Sequence, residues 1–271
     1  MTDTHTAAGP DTAPPAVSLV LPVFNGEAFL AGSLDRVAAF FDDRNLDAEL
    51  VVVDDGSGDR TPEILRQRSG SRLRTLRLDR NRGKFAALRT GMTAARGACR
   101  VFTDADLPYD LEAIPYLADL VGRQGFHIAV GDRTLAESDL RVPRPSVRRL
   151  GTRAFSFAVR MLVTGELFDT QVGLKAFRGD VADALFPLLV DDGFAGDVEL
   201  LYVALKYNLA IRRVPVRLLE TGESTVSLLG HAPAMLGRIA GLRRGWSSGR
   251  YESAALRAIA RQRYWPEAAG G

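Results

Sequence analysis

The chain has one cysteine, Cys99, among 271 residues, so no internal disulfide can staple it and its stability has to come from a buried core. Cys99 opens the apolar run Cys99-Arg-Val-Phe-Thr103 and reads as an inert small hydrophobe, which fits a reducing cytoplasm. Histidine is nearly as scarce. His5 lies in a polar N-terminal stretch, His127 beside a predicted strand and His231 near a C-terminal helix. A Ser-His-Asp triad is therefore poorly supported, and zinc ligation by the usual Cys/His sets is excluded. A surplus of one charge sign is also missing. With 35 Lys and Arg against 33 Asp and Glu, a net charge of +2 argues against a general nucleic-acid binder. No apolar run approaches the roughly 18 residues of a membrane span, so any contact with a membrane is at its surface. Two phosphate-binding signatures are absent as well. The loop after the first strand, Pro22-Val-Phe-Asn-Gly26, lacks Gly-x-Gly-x-x-Gly, the pair Gly56 and Gly58 has no third glycine, and Gly83-Lys84 is followed by Phe85 rather than Ser or Thr.

What is present is an alternation of buried strands and amphipathic helices. Met1 to Ala16 is rich in Thr, Ala, Pro and Asp and reads as a disordered tail rather than a signal peptide. Val17 to Val23 and Glu49 to Val53 are continuous apolar runs, as expected of strands buried on both faces. Leu30, Leu34, Val37 and Phe41 fall at helical spacing between them. Thr61-Pro62-Glu63 predicts a helix start with Thr61 as N-cap. Arg74 to Leu78 reads as a more polar strand near a sheet edge, and Phe85, Leu88, Met92 and Ala95 as the face of the next helix. After the Cys99 to Thr103 strand come a helix carrying Ile114, Leu117 and Val121 and a strand from Phe126 to Val130. Such alternation predicts a parallel twisted sheet with right-handed crossovers. Further on, Arg133 to Pro145 reads as a mobile polar loop and Val147 to Val163 as a helix. Phe168 to Phe177, Asp197 to Lys206 and Ala210 to Leu218 read as a strand or turn, a helix and a strand, and Pro233 to Leu242 as a helix. From His231 to Gly271, Arg238, Arg243, Arg244, Arg250, Arg257, Arg261 and Arg263 stand against only Glu252 and Glu267.

Chemistry concentrates at strand ends. Thr103-Asp104-Ala105-Asp106 places two carboxylates at the carboxyl end of a buried strand, where open α/β sheets bind ligands. Two anions so close repel unless a cation joins them, and Mg²⁺ or Mn²⁺ bridging to a diphosphate does this with oxygen ligands. An isolated Asp-x-Asp is more often a turn. Here, however, Pro22 to Glu27, Asp54 to Asp59 and Arg80 to Lys84 leave the ends of other strands along the same predicted edge. Acidic residues for a metal and a base, with basic residues for phosphate, suit a nucleotide-diphosphate leaving group.

In order, Leu21-Pro-Val-Phe-Asn-Gly-Glu27, Val51-Val-Val-Asp-Asp-Gly-Ser-Gly-Asp59, Asn81-Arg-Gly-Lys-Phe-Ala-Ala-Leu-Arg-Thr-Gly91 and Thr103-Asp-Ala-Asp106 resemble the successive motifs of family 2 glycosyltransferases of GT-A fold. Asp169-Thr-Gln-Val-Gly-Leu-Lys-Ala-Phe177 and Gly196-Asp-Val-Glu-Leu-Leu201 are similar to the dolichyl-phosphate glucosyltransferase and polyprenyl-phosphate hexosyltransferase branch. The resemblance implies an α/β GT-A fold, with a central, mostly parallel twisted sheet flanked by helices and C-terminal amphipathic helices. It divides the chain into a tail at 1–16, a catalytic domain at 17–228 and a basic helical segment at 229–271. It implies an inverting, metal-dependent hexosyl transfer, with glucose from UDP-glucose favoured and a GDP-sugar as the other donor, to a polyprenyl phosphate at the inner face of the plasma membrane.

Position by position, the resemblance assigns Pro22, Phe24, Glu27, Asp54 and Asp55 to the nucleotide's base and ribose, and Lys84 to its diphosphate. By the same resemblance Asp106 would ligate the metal directly and Asp104 would approach the metal or the ribose. Arg133, Arg148 and Arg149 would bind donor or acceptor phosphate, and Asp169 and Gln171 would lie on the acceptor side. Asp197 matches the position of the catalytic base. A sugar hydroxyl needs such a base, whereas a lipid phosphate is already an anion and would leave Asp197 to orient cations or hold the acceptor. Two rival readings stay open: a soluble transferase acting on a hydroxyl acceptor with Asp197 as base, and a nucleotide-sugar-binding protein without turnover. The C-terminal arginine-rich stretch departs from membrane relatives that carry spanning helices there. It reads either as a seat on an anionic leaflet or as a docked helix with a solvated basic face.

Overall fold

The computed structural model describes residues 13–68, 70–140, 172–193, 195–219 and 241–262. Arg148, Arg149, Asp169, Gln171, the predicted helix over 147–163 and nearly all of the one over 233–242 lie outside these residues, as do residues 1–12 of the predicted tail. Strand β1 (Val17–Val23) is flanked by β2 (Ala48–Asp54) and β4 (Cys99–Thr103), both parallel to it, and β3 (Leu73–Arg77) lies on the far edge beside β2. On the other side come β7 (Leu174–Arg178), β5 (Ile128–Asp132) and β8 (Ile211–Pro215), giving the order β3-β2-β1-β4-β7-β5-β8. Only β7 runs against its neighbours, pairing antiparallel with both β4 and β5. The sheet is thus mostly parallel, and β1 is where the strand order turns back, the place such sheets present their ligand crevice.

Alternation along the strands divides the core. Leu19, Leu21, Leu50, Val52 and Val101 face one layer with Leu30, Leu34, Val37 and Phe41 of α1 (Leu30–Asp43) and Ile114, Leu117 and Val121 of α4 (Ala113–Gly122). Val20, Val51, Val53 and Phe102 face the other, against Phe85, Leu88 and Met92 of α3 (Lys84–Ala94), Val181 and Leu185 of α5 (Gly179–Leu185) and Val198 and Leu201 of α6 (Gly196–Lys206). For α1, α3 and α4 these are the faces the helical periodicity predicts.

Several local expectations shift. Helix α2 (Thr61–Gln67) includes Thr61 as its first residue. The capping acceptor is Asp59, whose carboxylate takes the Thr61 N–H at 2.9 Å, while the Thr61 hydroxyl accepts from Gly26 N–H at 2.7 Å. The strand predicted from Phe126 begins instead at Ile128, because His127 is held in a turn, its Nδ1 accepting from Ala210 N–H at 2.9 Å. The stretch from Arg133 to Leu140, predicted as a loop too polar to pack, is anchored. Strand β6 (Asp139–Leu140) pairs in parallel with β9 (Arg217–Leu218), and Ser138 Oγ donates to Asp132 O at 2.6 Å. The Ala210 to Leu218 strand is interrupted at Val216, next to Pro215 with no N–H to donate.

The C-terminal segment is docked over its described length. Residues 241–247 are helical, and α7 (Ala254–Arg261) follows with Ser253 as its N-cap, the hydroxyl accepting from Leu256 N–H at 3.2 Å. Leu242, Tyr251, Leu256 and Ile259 enter the core, while Arg243, Arg244, Arg250, Arg257 and Arg261 are exposed. The apolar side of this stretch is therefore spent on the domain and the basic side faces outward. Among the described residues no helix is long and apolar enough to cross a membrane.

Candidate active site

The four polar loops meet at the carboxyl ends of β1, β2 and β4 and the start of α3. The first two are zipped together by side chain to backbone bonds: Asn25 N–H to Ser57 Oγ at 2.9 Å, Gly58 N–H to Asn25 Oδ1 at 3.0 Å, Glu27 N–H to Asp59 at 3.0 Å and Arg60 N–H to Glu27 at 3.1 Å. Asn25 adopts a φ of +50°, a conformation its short amide side chain tolerates. Asp54 is buried behind this junction, accepting from Ser57 N–H at 2.9 Å and Arg77 at 2.7 Å. Its carboxylate braces the second loop against β3 through these two bonds. Pro22 is likewise buried inside β1, paired with Val53 in register. Phe24, 45% exposed, is the aromatic that stands free at the rim, and Glu27 is exposed beside it.

Asp55 joins the second loop to the third. Its two oxygens accept from the backbone N–H groups of Arg82 and Gly83, each at 2.8 Å, just ahead of α3. Burial pushes its carboxyl above the usual range despite the lowering effect of these amides. The bonds hold Gly83 at a φ of +108°, where a Cβ would come within 2.3 Å of the Asp192 carbonyl oxygen, so the next residue, Lys84, starts the helix at a fixed place. Lys84 forms an ion pair with Asp104 from the β4 loop. Burial works against its ammonium, but the carboxylates of Asp104 and Asp197 outweigh burial, and Lys84 stays charged beyond the ordinary lysine range.

The β4 loop is a tight turn in which Leu107 N–H donates to Asp104 O at 3.0 Å. Leu107 is buried at a φ of +51°, a strained conformation for a side chain with no local polar compensation. Opposite lies the start of β7: Gly173 leaves so little room that a Cβ there would sit 2.2 Å from an Asp104 carboxylate oxygen. The antiparallel register, Thr103 against Leu174, thus brings Gly173 and Leu174, in the middle of the Asp169 to Phe177 motif, onto the acidic loop. Among the described residues no group of three or more His, Cys, Asp or Glu side chains is gathered as a metal cage. Two aspartates alone are the oxygen-donor set that a hard cation uses when phosphates and waters complete its shell. Asp104 and Asp106 fit that role.

Asp197, in the first turn of α6, is 4% exposed, and its Oδ1 accepts from Lys175 Nζ at 2.5 Å. Lys175 is wholly buried in β7, donates also to Val172 O at 2.6 Å and lies 5.3 Å from the centre of the Phe102 ring. Charges therefore alternate through the site, from Lys175 to Asp197 to Lys84 to Asp104. The sequence reading did not single out Lys175, although a lysine inside Leu174-Lys-Ala-Phe177 is the signal that could have found it. Arg133 leaves the carboxyl end of β5, on the same sheet edge but two strands beyond β4.

Residues 18–186 match the model of the family described as glycosyl transferase family 2. The dolichyl-phosphate β-glucosyltransferase of Drosophila melanogaster is 35% identical over 227 residues, 78% of this chain and 69% of its own length. That of Dictyostelium discoideum is 30% identical over 217 residues, 75% of this chain and 66% of its own length. The chain thus spans about two thirds of the length of these curated relatives. Among solved structures, glucosyl-3-phosphoglycerate synthase from Mycobacterium tuberculosis in complex with UDP superposes with a TM-score of 0.61 at 23% identity, covering 84% of this chain and 80% of that one. Mannosyl-3-phosphoglycerate synthase from Rubrobacter xylanophilus gives 0.63 at 18% identity, covering 93% and 79%. Fold, motif order and family match agree: the chain belongs to glycosyl transferase family 2, built on the GT-A fold.

Proposed function

We propose that this chain transfers glucose from UDP-glucose, with inversion, to a polyprenyl phosphate at a membrane surface. The relatives named as dolichyl-phosphate β-glucosyltransferases support the reaction, and a related solved structure holding Mn²⁺ and UDP supports the donor and metal. An acceptor phosphate oxygen attacks the anomeric carbon as the bond from that carbon to the diphosphate breaks, and UDP leaves with the electron pair. Phe24, Glu27 and Asp55 line the nucleotide side, and Lys84 meets the diphosphate. Asp104 and Asp106 would hold Mg²⁺ or Mn²⁺, which when bound supplies positive charge to the departing diphosphate. Arg133, with Arg148 and Arg149, is assigned to phosphate, and Asp169 and Gln171 to the acceptor side. The exposed arginines of the C-terminal segment would face an anionic leaflet on the cytoplasmic side.

The observation that carries the choice of acceptor is the Lys175–Asp197 pair. If Asp197 took a proton from a sugar hydroxyl, the Lys175 ammonium would be left buried without its counter-charge, a costly arrangement. A phosphate acceptor arrives without that proton. Asp197→Asn keeps an oxygen for Lys175 but removes its counter-charge, so the variant is expected to lose stability, while turnover of the folded variant with polyprenyl phosphate is expected to fall by less than the roughly 10⁴-fold upper end of losing a general base. Steady-state kinetics on the folded variant checks this, and a loss larger than about 10⁴-fold with the lipid phosphate would contradict this role for Asp197.

A further inference from the structure

One buried carboxylate has no place in the chemistry above. Glu199 is fully buried in α6, two residues beyond Asp197. Its Oε1 accepts from the Tyr251 hydroxyl at 2.6 Å, and its Oε2 accepts from the N–H groups of Val190 and Asp191 at 3.0 and 2.8 Å. The short loop so gripped reaches the donor side. Asp192 O accepts from Phe85 N–H at 3.0 Å, in the first turn of α3, and the Asp192 carboxylate pairs with Arg89 and lies 3.6 Å from Arg82. Arg89 also donates to Leu189 O at 2.9 Å. At its other end Tyr251 is clamped to the domain: its carbonyl accepts from Tyr207 Oη at 2.7 Å, and that hydroxyl accepts from Ser253 N–H at 2.7 Å.

We infer that Tyr251 and Glu199 are positioning residues for Lys84, forming a strut that ties the C-terminal segment to the donor-phosphate end of the site. Leu189 anchors the loop at 189–193 in the core, but Val190 beyond it is 54% exposed, so the rest of the loop is held by the Glu199, Arg89 and Phe85 bonds, and the carbonyl that meets Phe85 N–H is the one Gly83 must make room for. Tilting that carbonyl moves the start of α3 and with it the Lys84 ammonium. The C-terminal segment is in this way a working part of the donor site, although none of its side chains touches the four site loops in the contacts described above. The inference rests on Lys84 being a donor-phosphate residue.

Tyr251→Phe in the full chain removes one hydroxyl and keeps the ring. Amide exchange followed by mass spectrometry should show faster exchange in peptides covering 189–193 and 83–87, with β1 and β2 unchanged. Titration with UDP in the presence of Mn²⁺ should show affinity weakened about tenfold, the scale of one hydrogen bond to a charged group. Asp183→Ala, which removes the partner of buried Arg100 at the far end of β4, is the matched control for lost stability and should leave UDP affinity unchanged. Unaltered exchange at 83–87 in Tyr251→Phe, or an equal loss of UDP affinity in Asp183→Ala, would overturn the strut. If the wild-type chain does not bind UDP, the donor reading fails and the exchange measurement alone decides the strut.

Discussion

Asp106→Ala is expected to lower kcat/KM for the nucleotide sugar by about 10³-fold or more, the scale of losing a cation or a preorganised electrostatic group from the leaving-group side. Asp106 is the sharper test of the acidic pair because Asp104 also serves as the counter-ion of Lys84, so that replacing it disturbs two functions. In Asp106→Ala the Lys84–Asp104 pair stays in place. The variant should therefore keep a metal-independent share of UDP affinity while losing the gain that Mn²⁺ or Mg²⁺ gives to the wild type. Isothermal titration with and without the cation, alongside turnover, separates these effects. Near-wild-type turnover in Asp106→Ala would remove the metal assignment.

The second large effect is on stability. Lys175 is 0% exposed and Asp197 4% exposed, so Lys175→Met leaves a buried carboxylate facing a thioether. Breaking a buried pair by removing one partner costs about 3–5 kcal/mol, and that loss is expected in urea unfolding of Lys175→Met. Removing both charges, as Lys175→Met with Asp197→Leu, should recover most of it, since the uncompensated charge is then gone. A loss below about 1 kcal/mol in the single variant would mean that water reaches the pair, and the argument against Asp197 as a base would go with it.

The contrast between Asp54 and Asp55 shows where the sequence could be read and where it could not. Apolar runs of five to seven residues announced β1, β2 and β4, and helical periodicity named the buried residues of α1, α3 and α4, because burial selects residue type directly. Where the loops fall followed from the strands. Side-chain direction at a strand's end did not. Asp54 and Asp55 are adjacent carboxylates in one motif, yet one is buried against Arg77 and the other braces the start of α3, a difference set by tertiary register. Thr61 moved for the same reason, its hydroxyl taken up by the first loop. The antiparallel β7 was also illegible, since its partners in the sheet are some 75 and 45 residues away and nothing local marks its direction. Lys175 was visible as an anomaly in an apolar run, but its partner came from α6 and only the fold joined them. The positive φ of Leu107 has no counterpart in residue type.

The proposed reaction transfers a sugar to a lipid phosphate from a nucleotide-sugar donor at the Lys84, Asp104 and Asp106 end of the site. Incubating the full chain with radiolabelled UDP-glucose, Mn²⁺ and polyprenyl phosphate, then partitioning between organic and aqueous phases, tests it directly. Label should enter the organic phase in step with UDP release, and chelation of the cation should stop both. Label recovered as a water-soluble glycoside when a sugar or small-molecule hydroxyl acceptor replaces the lipid, with none in the organic phase, would contradict the account, as would bound UDP-glucose that is never turned over.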